Sequence, residues 1–232
     1  MKQTFALLVI ASLSACLVFA QEDPFSFAVP QFEAAAKGLP SQAPESTLIL
    51  RGTQDFVIQP LPDGTVALTL TYMAVNRSKP LTTTLLDSAG TVLFEGVVDG
   101  VREIRAKTSV AGTCKLSVKT DGGSMTLASP CAWAVHGKLR GFRCLPTVFL
   151  YVPKGLDSFD LHVSGGGGKE HIVWTLSAGL DAPPLKRVDT SFEGVVATVR
   201  ILVPKGRDGR IWTLAFGKPE KGFNEDFSVS VS

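Results

Sequence analysis

From Thr47 onward, apolar and polar residues alternate along the chain with a period of two. Leu48 and Leu50, Phe56 and Ile58, then Val66, Leu68, Leu70 and Tyr72 hold every second position, with Pro62-Asp63-Gly64 breaking the last two runs apart. That period marks a strand with one face on a core and the other in water. Leu85–Asp87 and Val92–Phe94 meet across Ser88-Ala89-Gly90, and Val101–Ala106 follows Asp99-Gly100. Thr113–Lys119 and Ser124–Ala128 read as a hairpin turned at Asp121-Gly122-Gly123. The plainest signal lies in Thr147–Ser164, where Phe149, Tyr151, Phe159, Leu161 and Val163 alternate about Val152-Pro153-Lys154-Gly155. Proline pre-sets φ in such a turn and glycine tolerates its exit geometry. The tetrapeptide returns as Val203-Pro204-Lys205-Gly206. Short strands separated by Gly, Asp and Pro turns predict an all-β chain of hairpins stacked into sandwiches.

The second half repeats the first. Phe56-Val57-Ile58 matches Phe149-Leu150-Tyr151, Val101–Arg105 matches Val196–Arg200, and Gly112–Leu116 resembles Arg210–Leu214. The expected architecture is two tandem antiparallel β-sandwich domains of jelly-roll type, over 47–135 and 147–232, joined by a connector at 136–146. Ahead of them lies a leader arm, 21–46, punctuated by Pro24, Pro30, Pro40 and Pro44, with a short helix at Gln31–Lys37. Met1–Ala20 reads as a cleaved signal peptide: Lys2 is the charged start and Phe5–Leu17 the apolar stretch, too short to span a bilayer comfortably. Cleavage after Ala20 would leave Gln21 first. The competing reading takes Leu13-Ser14-Ala15-Cys16 as a lipoprotein box acylated at Cys16, although Leu17-Val18-Phe19 stay apolar where a tether would turn polar. No later segment approaches a membrane-spanning length.

The formal net charge is +2. So small a charge gives no electrostatic case for nucleic acid or an anionic membrane as partner. With 14 Phe against 3 Trp and 2 Tyr, the aromatic bulk suits a packed core better than a ring-lined groove. Export implies an oxidising compartment, so Cys114, Cys131 and Cys144 are expected to form one disulfide and leave one thiol. Cys131 and Cys144, closing a short loop, are the favoured pair; Cys114–Cys131 is the alternative. No C-x-x-C spacing suggests a metal, and no cofactor motif is present.

FLYVPKGLDSFDLHVSGGGG at 149–168, a later Trp-Thr-Leu strand, and RILVPKGRDGRIWTLAF at 200–216 resemble the bacterial pre-peptidase C-terminal-like modules. The resemblance covers about residues 147–232. It implies a small jelly-roll sandwich that accompanies exported hydrolases and surface proteins, some of which bind calcium or polymers. The compact acidic motif of such calcium sites is missing, and no catalytic domain precedes it.

Candidate chemistry is sparse. There is no G-x-S-x-G elbow and no patterned carboxylate pair, so the chain reads as a non-enzyme. His136, His162 and His171 lack a placed third ligand. The four glycines Gly165–Gly168 lead into a strand rather than a helix, which suits a loop and not a phosphate cradle. Trp174 and Trp212 share phase with apolar neighbours and read as core; Trp133 lies outside a clear alternating run and is the candidate stacking surface. Lys138, Arg140 and Arg143 form the most basic run, with Phe142 inside it. Trp133, Lys138, Arg140 and Arg143 are therefore the expected ligand-binding residues. The function that fits is an exported accessory or surface module binding a polymer such as carbohydrate. The alternative is a scaffolding envelope protein without a ligand site.

Overall fold

Wherever alternation runs for several residues, the chain is a strand. The computed structural model describes residues 26–28, 48–166, 169–179, 182–193 and 196–232. The first half holds β1 (Ser26–Ala28), β2 (Leu50–Arg51), β3 (Gln54–Gln59), β4 (Thr65–Met73), β5 (Leu81–Leu86), β6 (Val92–Val98), β7 (Val101–Lys107), β8 (Cys114–Lys119) and β9 (Ser124–Ala128). The second holds β10 (Ala132–His136), β11 (Leu139–Phe142), β12 (Thr147–Val152), β13 (Ser158–Gly165), β14 (Val173–Ser177) and β15 (Pro184–Asp189). After one helical turn, α1 (Thr190–Glu193), come β16 (Val196–Leu202), β17 (Arg210–Gly217) and β18 (Asp226–Val231). The expected signal peptide, Cys16 and the helix at 31–37 lie outside the described residues.

The strands build two antiparallel sheets. Sheet A runs β15-β14-β17-β12-β1-β10-β3-β8-β5-β6 and sheet B runs β16-β13-β18-β11-β2-β9-β4-β7. The all-β class read from the alternation is what forms. Val66, Leu68, Leu70 and Tyr72 of β4 and Phe159, Leu161 and Val163 of β13 are buried at every second position. They join one apolar core shared by both sheets. Phe159 of sheet B meets Trp212 of sheet A edge-on at 5.8 Å, and Phe216 and Phe227 meet at 4.5 Å. Trp212 is fully buried, with Nε1 donating to the Arg207 carbonyl at 2.8 Å. A large apolar side chain so buried contributes roughly 1.5–3 kcal/mol.

The turns fall where the sequence puts them, yet most are not hairpins. β12 pairs with β17, and β13 with β16 and β18, so Val152-Pro153-Lys154-Gly155 is an arch between sheets. It is tight all the same: the Leu156 N–H reaches the Pro153 carbonyl, as Arg207 reaches Pro204 in the second copy. Asp121-Gly122-Gly123 likewise carries the chain from β8 in sheet A to β9 in sheet B. Among the described strands, only β5–β6 and β14–β15 pair with their sequence neighbour. Each of those hairpins carries a register shift, at Leu85/Leu86 and at Leu176/Ser177.

The repeat extends to the pairing itself. Replacing β3–β9 by β12–β18, while exchanging β1 with β10 and β2 with β11, leaves every strand pairing unchanged. Leu68 faces Ile104 as Leu161 faces Val199, in keeping with the match of Val101–Arg105 to Val196–Arg200. The match of Phe56 to Phe149 is one residue out: Phe56 faces Leu116, and the residue facing Leu214 is Val148.

The expected connector at 136–146 is no tether. It contains β11, and both sheets run straight through this region. The expected leader arm is described only at β1. That segment is a strand of sheet A between β10 and β12. The expected Cys131–Cys144 disulfide is not formed, and neither is Cys114–Cys131; all three thiols are free and buried. Cys131 sits against the start of β4, its Sγ 3.7 Å from the Thr65 carbonyl, while Cys144 Sγ lies 3.4 Å from the Ile49 carbonyl. Cys131 and Cys144 thus rest on the carbonyls of different segments. Burial pushes Cys114 up to about 11 and also raises Cys144, which keeps both protonated.

Candidate functional site

Four strands meet at the centre of sheet B: β9, β2, β11 and β18. Leu50 of β2 and Leu139 of β11 point inward and are fully buried. The period of two then turns Arg51 and Arg140 to the outer face. Leu50 faces Gly141, and the Phe142 N–H donates to the Ile49 carbonyl at 2.9 Å. Continuing that register by one residue sets Arg51 opposite Arg140.

Here the outer face is concave. A cavity of about 470 Å³ is lined by Arg51, Thr53, Asp121, Lys138, Arg140 and Asp226, among others. Its floor and far wall include Ser164 and Ser228, whose hydroxyls bond each other at 2.9 Å, and Gly165 and Gly166 of the glycine run. The Gly166 N–H is shared between the Asp226 carbonyl at 2.9 Å and Glu170 Oε2 at 3.1 Å. Gly52, at φ 70°, leaves room for the Arg140 guanidinium, whose Nη1 lies 3.4 Å from where a Cβ would stand.

The charges are not equally engaged. Arg51 is ion-paired to Asp226, donates from Nε to the Gly122 carbonyl at 3.3 Å, and lies 5.0 Å from the Phe142 ring centre. The Asp226 hydrogen bond is the main reason the Arg51 guanidinium holds its proton even more firmly than usual, with Glu225 and Glu170 adding to the effect. Asp121 Oδ1 accepts the Lys79 N–H at 2.7 Å. Among the described residues, no ion pair or side-chain hydrogen bond engages Arg140 or Lys138.

Of the residues expected to bind, Lys138 and Arg140 line the cavity. Arg143 does not: φ of 48° turns it away, and Glu225 holds its guanidinium, with Nε 2.8 Å from Oε1. Trp133 has no free face. It is 2 % exposed and packs edge-on against Phe56 at 5.7 Å, because β10 is buried on both faces. It is core, not a stacking platform. The histidines do not converge. His162, outward on β13, bonds Thr198 at 3.1 Å and Ser232 at 2.7 Å, while His171 lies in the loop before β14 and His136 in sheet A. No group of three metal-ligating side chains occurs among the described residues.

Arg51 escaped the sequence reading, although a signal for it was present. Leu50-Arg51-Gly52 and Leu139-Arg140-Gly141 are the same tripeptide, and they occupy the two central strands at equivalent register: Arg51 faces Ser124 and Arg140 faces Ser228. No family model matches the chain, and no curated protein matches it significantly.

Proposed function

We propose that this is an exported, non-catalytic β-sandwich protein, duplicated from one jelly-roll-like unit, that binds a polysaccharide in the junction cavity. The observation that carries this reading is a polar cavity with two unengaged basic side chains, Lys138 and Arg140, built from both halves of the chain. Its volume falls in the range of small-ligand sites. Guanidinium and ammonium donors beside Thr and Ser hydroxyls suit a ligand rich in hydroxyl and ring oxygens. The resemblance of 147–232 to modules of exported hydrolases and the signal-like Met1–Ala20 support the same reading.

A steric block tests it. Thr53 is exposed at the cavity wall, so Thr53→Trp fills the site without altering its charge. Affinity electrophoresis against a panel of neutral and acidic polysaccharides is expected to retard the parent protein on at least one of them, and not the variant. Absence of retardation on every polymer would leave the scaffolding alternative in place.

A further inference from the structure

Resting on that reading of the cavity, we propose that the ligand is an acidic polysaccharide, one of whose carboxylate or sulfate groups takes the place of a carboxylate missing from the first half.

The repeat makes the missing group identifiable. Arg51 and Arg140 are equivalent, as are Ser124 and Ser228, their cross-strand neighbours. Counting along these registers, Phe142 on β11 corresponds to Thr53 beyond β2, and Asp226 on β18 corresponds to Gly122 before β9. Arg51 therefore crosses the Phe142 ring and ends on the Asp226 carboxylate. At Arg140 the positions equivalent to that ring and that carboxylate are Thr53 and Gly122, and among the described residues Arg140 has neither an aromatic ring beneath it nor an ion pair. Thr53 and Gly122 both line the cavity. The positions equivalent to that ring and that carboxylate thus open onto the cavity, which Arg51 and Asp226 line as well.

The electrostatics agree with the shape. Like charges directly opposed across strands are unfavourable, and Asp226 offsets only one of the two arginines. Asp121, the other cavity carboxylate, is held by the Lys79 backbone and pairs with neither Arg140 nor Lys138 among the described residues. A guanidinium fork matches a carboxylate or sulfate ester in two-pronged geometry, and Lys138 adds a second positive charge at the rim. The site draws its lining from both halves.

The probes are polygalacturonate for the carboxylate, dextran sulfate for the sulfate, unmodified dextran as neutral control, and a single-stranded oligonucleotide as a non-carbohydrate polyanion. Binding of one acidic polymer, well above dextran and the oligonucleotide, is expected, with one site per chain for a galacturonate or sulfated oligomer in calorimetry. Arg140→Ala should weaken it roughly ten- to a hundredfold, as for loss of hydrogen bonds to a charged group. Lys138→Ala should weaken it less, and Arg140→Lys should recover part of the loss. Rising salt should weaken the parent more steeply than Arg140→Ala. Equal thermal stability of the exposed-site variants and the parent separates binding from folding. Retention of dextran that Thr53→Trp abolishes and Arg140→Ala leaves unchanged would overturn this inference and spare the cavity. Tighter binding of the oligonucleotide than of either acidic polysaccharide would overturn it too. No binding to anything would remove both readings.

Discussion

At the junction, β1 and β10 in sheet A, and β2 and β11 in sheet B, cover each other's backbone donors and acceptors. At the far ends, β6 and β15 close sheet A while β7 and β16 close sheet B, each with a neighbour on one side only. The side chains differ accordingly. Inner strands carry fully buried Leu50 and Leu139 and the compact Gly141, whose missing Cβ is replaced by the Phe227 ring. Outer strands leave Val97, Val101 and Leu202 at 65 %, 68 % and 72 % exposure. They also bear Arg102, Arg105 and Lys107 on β7 and Pro184, Lys186 and Arg187 on β15. Charge and proline are the usual guards of an open edge. The contrast teaches why the sheets extend through two repeats and stop there: one pair of edges is shaped to be joined, the other to be left alone.

Breaking the inner edge should do the most damage. Leu139→Ala opens a cavity in the shared core, and urea unfolding is expected to show a loss of about 2–5 kcal/mol. Gly141→Ala comes next. A Cβ there would stand 2.1 Å from Phe227, which is itself packed on Phe216, and such overpacking costs about 1–3 kcal/mol. If either variant unfolded like the parent, the junction would not be a structural seam. At the outer edge, Leu202→Ala should shift the same curve by less than about 0.5 kcal/mol. Lys186→Ile with Arg187→Ile should be equally mild in unfolding but should appear as self-association in sedimentation, since the guard is gone. The smallest effect lies in the turns at the strand ends. The Gly155 N–H, at 2.9 Å, holds the Asp208 carboxyl below the usual carboxylate range. The stability it lends is therefore present above the unfolded pKa of about 3.9 and is lost as pH falls through the lower folded value. Asp208→Asn should flatten that acid slope slightly and leave stability at neutral pH nearly unchanged.

Alternation made the inward faces legible. Val66-Leu68-Leu70-Tyr72 and Phe159-Leu161-Val163 are buried residue for residue, and the Gly and Pro turns stand between strands as read. What alternation does not encode is the neighbour. A strand leaving the Pro153 turn can bury Phe159 equally well beside β12 or in the facing sheet, so alternation alone does not tell an arch from a hairpin. Trp133 is illegible for a related reason: β10 is covered on both faces and has no polar phase to reveal its direction. Spacing along the chain suggests the Cys131–Cys144 pair, while the two thiols settle on the carbonyls of Thr65 and Ile49 in different segments. At the cavity, Lys138 and Arg140 were visible as a basic run. Their counterpart Arg51 was not, because its equivalence depends on register across β2 and β11, a property of two distant segments.

The placement of β1 bears on the order of events during folding. Ser26 faces His136 and Phe27 faces Leu150, so the first described strand pairs, among the described residues, only with strands of the second half. The first half cannot complete its share of sheet A alone, since β3 takes β10 as its neighbour. Among the described strands, each half thus draws part of its share of sheet A from the other. Closing such long loops before any contact rewards them makes for high contact order and slow folding. Among the described strands only β10 and β12 pair with β1, so its place in sheet A is expected to form after theirs.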